Sequence, residues 1–85
     1  MKYKFTVVDH DEELKDATTF ESVWGENDGR KLAEDAAEHA HYHCDGWEWS
    51  YPKIFNIYTM DDKHIGRFSV EREAQPVFIA VPDKE

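Results

Sequence analysis

Cysteine is almost missing from this chain: Cys44 stands alone among 85 residues. No internal disulfide can form, which agrees with a reducing compartment. No apolar run approaches the roughly 18 to 20 residues of a membrane span, and the start, "MKYKFTVVDHDEE", turns acidic where a signal peptide would be hydrophobic. A cytoplasmic protein without membrane attachment is expected. Glycine is scarce too, and the four glycines form no phosphate-binding loop. Ser22, Ser50 and Ser69 lie in no GxSxG context, and no carboxylate pair has a scaffold around it. Cys44, expected at the C-terminal end of a helix, sits where the dipole disfavours a thiolate nucleophile. A non-enzymatic protein is expected.

Positive charge is the other shortage. Ten basic residues face nineteen acidic ones, for a net charge of −9. Up to Asp45 there are twelve acids and five bases, so −7 of that charge lies in the first half and −2 in the remainder. Such a field repels nucleic-acid phosphates and anionic membranes, and it steers the protein towards a partner with a basic surface. Glu12, Glu13, Asp16, Glu21, Glu26, Asp28, Glu34, Asp35 and Glu38, with Asp9 and Asp11 beside them, are the candidate partner-binding acidic face. An excess of Asp and Glu also serves solubility alone, and the sequence does not separate the two.

Apolar residues are plentiful at 40%, including five Phe, four Tyr and three Trp. That is enough for one packed core, and a chain of this length buries roughly 60 to 65% of its unfolded surface. Residues 1–85 form a single domain, too small for a cleft between two lobes.

"KYKFTVV" alternates Lys2, Lys4 and Thr6 against Tyr3, Phe5 and Val7, the period of a half-buried strand. "TTFESVW", Thr18 to Trp24, is β-branched and aromatic and returns as a second strand. From about Arg30 the period becomes helical, with Ala33, Ala36, Ala37, Ala40 and Cys44 on one stripe and Leu32 at its edge. Asn27 or Asp28 is placed to cap this helix, and Gly46 to end it. "KIFNIYTM" and "HIGRFSVERE" flank the turn signal "DDK" as a hairpin in which Phe55 and Ile57 face Phe68 and Val70. "PVFIAVP", Pro76 to Pro82, is a last strand whose prolines suit an edge and guard it against pairing. The prediction is an α+β domain of order β-β-α-β-β-β, an antiparallel sheet of four to five strands with one helix on a face.

The segment "EHAHYHCDGWEWSYP", Glu38 to Pro52, concentrates His39, His41, His43, Cys44, Trp47 and Trp49. On a helix His39 and His43 share a side and can grip one transition metal such as zinc, with Asp35 a turn earlier as a third ligand. No HExxH is present, and cationic histidines also complement the negative end of a helix dipole, so a helix-end role competes with the metal role. In an extended chain Trp47, Trp49 and Tyr51 project from one face. They either lid the core or present an aromatic anchor to a partner. Stacking of nucleic-acid bases on them would need a basic groove, which this chain does not offer, so no direct nucleic-acid binding is expected.

"AEDAAEHAHYHCDGWEWSYP", followed by a hairpin ending "GRFSVERE", resembles small acidic bacterial and phage proteins of unassigned function. In these an Ala/Glu helix ends in an aromatic, His-rich turn followed by Asp-Gly-Trp-Glu and a Trp/Tyr-Pro step. The resemblance covers roughly residues 17 to 80. It implies the α+β fold and a mobile-element origin, and it supplies no catalytic residue. The leading expectation is therefore a non-enzymatic interaction protein, in its sharpest form an inhibitor of anti-CRISPR or anti-restriction type whose acidic face covers a nucleic-acid-binding site. A metal-binding module at His39 and His43 and an accessory structural module are the alternatives. The protein itself is expected to be a monomer or a weak homodimer.

Overall fold

The computed structural model describes residues 1–10, 12–43, 49–74 and 77–83. Strand β1 (Lys2–Val7) is followed by two single 3-10 turns, Val8–His10 and Leu14–Asp16, then by β2 (Thr18–Glu21), helix α1 (Gly29–His43), β3 (Lys53–Thr59), β4 (His64–Ala74) and β5 (Val77–Pro82). The strands form one antiparallel sheet in the order β2-β1-β3-β4-β5, with α1 on one face. This is the α+β arrangement that the residue periods predict. Among the described residues no helix is long and apolar enough to cross a membrane.

Period-two alternation turns Tyr3, Phe5 and Val7 of β1 towards the helix, with Phe55 and Ile57 of β3, Phe68 and Val70 of β4, and Phe78 and Ala80 of β5. The helix meets them with Leu32, Ala33, Ala36, Ala37 and Ala40, all fully buried. Alanine at four of these positions lets α1 lie close on the rings of the sheet. Each fully buried Phe or Leu contributes about 1.5 to 3 kcal/mol relative to exposure, so this layer supplies most of the stability. Phe68 shows how tight the layer is. A Cβ added at Gly29, the first residue of α1, would lie 2.5 Å from the Phe68 ring, and one added at Gly66 would lie 2.7 Å from it. Both glycines therefore make room for one aromatic ring.

Two local expectations shift. The second strand ends at Glu21 rather than running to Trp24, because the Ser22 hydroxyl turns back to accept the Trp24 N–H at 3.1 Å. In the hairpin Phe55 does face Phe68, but Ile57 pairs with Gly66 and Val70 with Lys53. At its tip Asp62 takes a positive φ of 68°, its N–H bonds Thr59 O at 3.0 Å, and Thr59 N–H bonds Lys63 O at 2.9 Å. That is a turn closed by a left-handed residue, a conformation Asp tolerates better than most. The described residues between Val8 and Ala17 are largely exposed, as their acidity suggests, but two of their carboxylates have backbone partners. Asp9 accepts the Ile54 N–H and Glu12 the Val7 N–H, so these two carboxylates serve the backbone.

The two sheet edges differ. At β5 the outward N–H of Ala80 donates to Glu34 Oε2 at 3.1 Å and the outward Ala80 carbonyl accepts from Arg30 Nε at 3.0 Å. Pro82, next on the same side, has no N–H to offer. Helix side chains thus occupy the place where another strand would bond. At β2 the reciprocal pair Ser22 N–H to Met1 O and Met1 ammonium to Ser22 O, both 2.9 Å, sets the phase of the ladder. Phe20 and Thr18 then bond β1, while Thr19 and Glu21 point their backbone groups away from the sheet.

Candidate functional site

The helix carries a second stripe beside its alanines. Asp35, His39 and His43 at four-residue spacing, and Asp35, Glu38 and Tyr42 at three and four, lie on the flank that overhangs β2. With Glu21, Val23 and Trp24 they line a groove of about 390 Å³ between α1 and the end of β2. Three acidic residues and no lysine or arginine are among its lining. Its apolar members are unusually open for their type, with Val23 88% exposed, Tyr42 62% and Trp24 39%.

Trp24 is exposed but not loosely held. Its N–H is taken by the Ser22 hydroxyl, that hydroxyl donates to Asp35 Oδ2 at 2.5 Å, and the Trp24 carbonyl accepts from the Tyr3 phenol at 2.8 Å. Ser22 is itself buried. A buried network therefore fixes the backbone of a surface tryptophan, which lowers the ordering cost of any contact the ring makes. The ring also already faces a cation: the Lys31 ammonium lies 5.8 Å from its centroid.

His39 and His43 are brought together as their spacing predicts, with ring centroids 4.6 Å apart and planes tilted by 35°. Burial lowers the His39 pKa, and the neighbouring His43 lowers it further. Asp35, the expected third ligand, lies along the same groove, but its carboxylate is engaged by Ser22. Among the described residues no group of three His, Cys, Asp or Glu side chains could hold a metal ion. The histidines form a pair and not a cluster.

The expected acidic face divides. Glu21, Asp35 and Glu38 gather at this groove, whereas Glu26, Asp28 and Glu34 line a hollow of about 660 Å³ at the start of α1 together with Arg30 and Lys31. In that hollow the charges offset one another, and Glu26 pairs with Lys63 at 3.3 Å. Glu34 is committed to Ala80, and Glu12 to Val7. Glu13 and Asp16 cap the second 3-10 turn reciprocally in the β1–β2 connection. Neither lines the groove.

Of the expected aromatic anchors, Trp49 and Tyr51 are half-buried and pack on the core. Trp49 meets His10 edge-on at 4.6 Å and Phe55 at 6.3 Å, and Tyr51 packs on Phe78 at 5.5 Å with the Arg72 guanidinium over its face. Burial raises the Tyr51 pKa, and the nearby Arg72 opposes that shift. His41, on the opposite border of the helix stripe, also meets Phe78, at 5.9 Å. Trp47, Cys44, Gly46 and Pro76 lie outside the described residues. Among the described residues the exposed tryptophan is Trp24, whose β-branched and aromatic surroundings predict a strand. The signal that would have found it is its position directly before Gly25, where a strand is already ending.

Comparison of the chain with protein-family models, with curated proteins and with solved structures finds no match.

Proposed function

We propose that this chain is a small, acidic, non-enzymatic interaction protein that docks on a basic surface of a partner protein. In its sharpest form it is an inhibitor that covers a nucleic-acid-binding site, of the kind by which phages and mobile elements resist restriction or CRISPR nucleases. The observation that carries this reading is the groove between α1 and β2, lined by Glu21, Asp35 and Glu38 beside exposed Trp24 and Tyr42 and by no lysine or arginine, on a chain of net charge −9. Interface hot spots combine such aromatics with charge complementarity, and steering by an acidic face raises the association rate with a basic partner.

The test is capture on the immobilised protein from host cytosol at low and high salt, with duplex DNA as competitor and the paired variant Glu21→Lys, Glu38→Lys alongside. A basic nucleic-acid-binding protein is expected, released by salt, displaced by DNA and not retained by the variant, since screening and charge reversal both remove the steering field. Retention indifferent to salt, DNA and charge reversal would overturn the proposal.

A further inference from the structure

The groove has a backbone side as well as a side-chain side. At Glu21 it adjoins the edge of β2, where Thr19 and Glu21 turn their N–H and C=O groups away from β1. No group among the described residues bonds them. The opposite edge of the sheet is closed at Ala80 by Glu34 and Arg30. The fold therefore leaves the β2 edge available for strand addition, and that edge leads at Glu21 into the groove lined by the α1 flank.

A strand added to β2 would alternate its side chains, one set facing solvent and the other facing Asp35, Glu38, His39, Tyr42 and His43. Charge decides what that second set must be. Two carboxylates, Asp35 and Glu38, and the rings of Trp24 and Tyr42 favour a guanidinium or ammonium group, and Lys31 over Trp24 shows the ring taking a cation within the chain itself. We infer that the β2 edge and the α1 flank together accept an extended, arginine- or lysine-bearing segment of a partner protein, which adds as a sixth strand and places its basic side chains in the groove. This rests on the docking reading above and names the mode by which it occurs: main-chain bonds give affinity, and the groove selects alternate basic side chains.

The test uses a short capped peptide alternating Arg and Thr, a version of identical charge N-methylated on the residues that would face β2, and a version with Glu for Arg. Amide resonances of the intact protein report the site. The Arg peptide is expected to shift Thr19 to Trp24 and Asp35 to His43. The N-methylated peptide is expected to bind about tenfold more weakly, since it loses main-chain hydrogen bonds to β2. Trp24→Ala and Thr19→Pro are expected to weaken binding by a similar factor. The Thr19 N–H points away from β1, so the proline variant keeps the sheet, which its own amide spectrum verifies. Equal binding of the methylated peptide, or shifts confined to Glu13, Asp16, Asp61 and Asp62, would overturn strand addition while leaving docking by charge intact. No shift with any peptide, together with no salt-sensitive partner in the capture experiment, would overturn both. Concentration-dependent shifts at Thr19 to Glu21 without peptide would assign the edge to a second copy of the chain and overturn the partner segment.

Discussion

Phe68 is the residue through which the helix, the hairpin and the last strand meet. Its ring fills the space left by Gly29 and Gly66, at approaches of 2.5 and 2.7 Å to where a Cβ would sit. Gly66→Ala is expected to lower stability by about 1 to 3 kcal/mol through overpacking, measured by urea denaturation. Restoration by the double change Gly66→Ala, Phe68→Leu would identify the ring as the cause, and an unchanged midpoint in the single variant would refute it. His39 makes a second prediction of definite sign. Because burial and His43 hold its folded pKa below the ordinary value of about 6.5, the unfolded chain binds that proton first on acidification. Its contribution is fully present above the unfolded pKa and is lost as pH falls through that value towards the folded pKa. The melting temperature of His39→Gln should therefore decline less steeply than that of the parent between about pH 7 and pH 5. Parallel curves would show that the His39 environment does not discriminate against the cation.

Among the elements, the edge closure at β5 is the most exposed to a single change. Glu34→Ala leaves the Ala80 N–H without its acceptor, so hydrogen exchange at Ala80 should accelerate and stability should fall by about 1 to 3 kcal/mol. Unaltered exchange at Ala80 would mean that the amide is protected by something other than the carboxylate. The same elements show how far the fold was legible. Helix α1 could be read because Ala33, Ala36, Ala37 and Ala40 repeat at its period and nothing else explains them. The strands could be read from alternation, and the hairpin from "DDK". The sheet order could not, since β1 lies between β2 and β3 by long-range pairing that no local pattern encodes. The end of β2 was hidden for a similar reason: the β-forming run continues to Trp24, and what stops it is the Ser22 hydroxyl bonded to Asp35 on the helix. At the site, the pairing of His39 with His43 was legible from spacing. The division of the acids between backbone service and open surface was not, because a carboxylate that caps Val7 or Ala80 looks in sequence like any other.

Across the whole molecule, charge and size set the balance. The extents are 30 × 27 × 24 Å, several times the Debye length of about 8 Å at physiological salt. Added salt therefore screens repulsion across the body of the protein. Exposed pairs such as Lys15 with Glu13 and Lys63 with Glu26 oppose this weakly, each contributing at most about 1 kcal/mol. Net self-repulsion at −9 then dominates, and the melting temperature should rise by a few degrees on going from about 10 mM to 150 mM sodium chloride. A fall over that interval would mean that attractive pairs outweigh repulsion. The unequal sheet edges have a consequence for assembly. A β-sheet polymer grows only if each added unit presents a fresh edge, as a bifunctional monomer does. Two copies meeting through β2 would leave at both ends a β5 edge occupied at Ala80 by Glu34 and Arg30, which disfavours growth beyond the dimer. The helix residues that satisfy Ala80 thus also act against chain growth while the edge at β2 stays open.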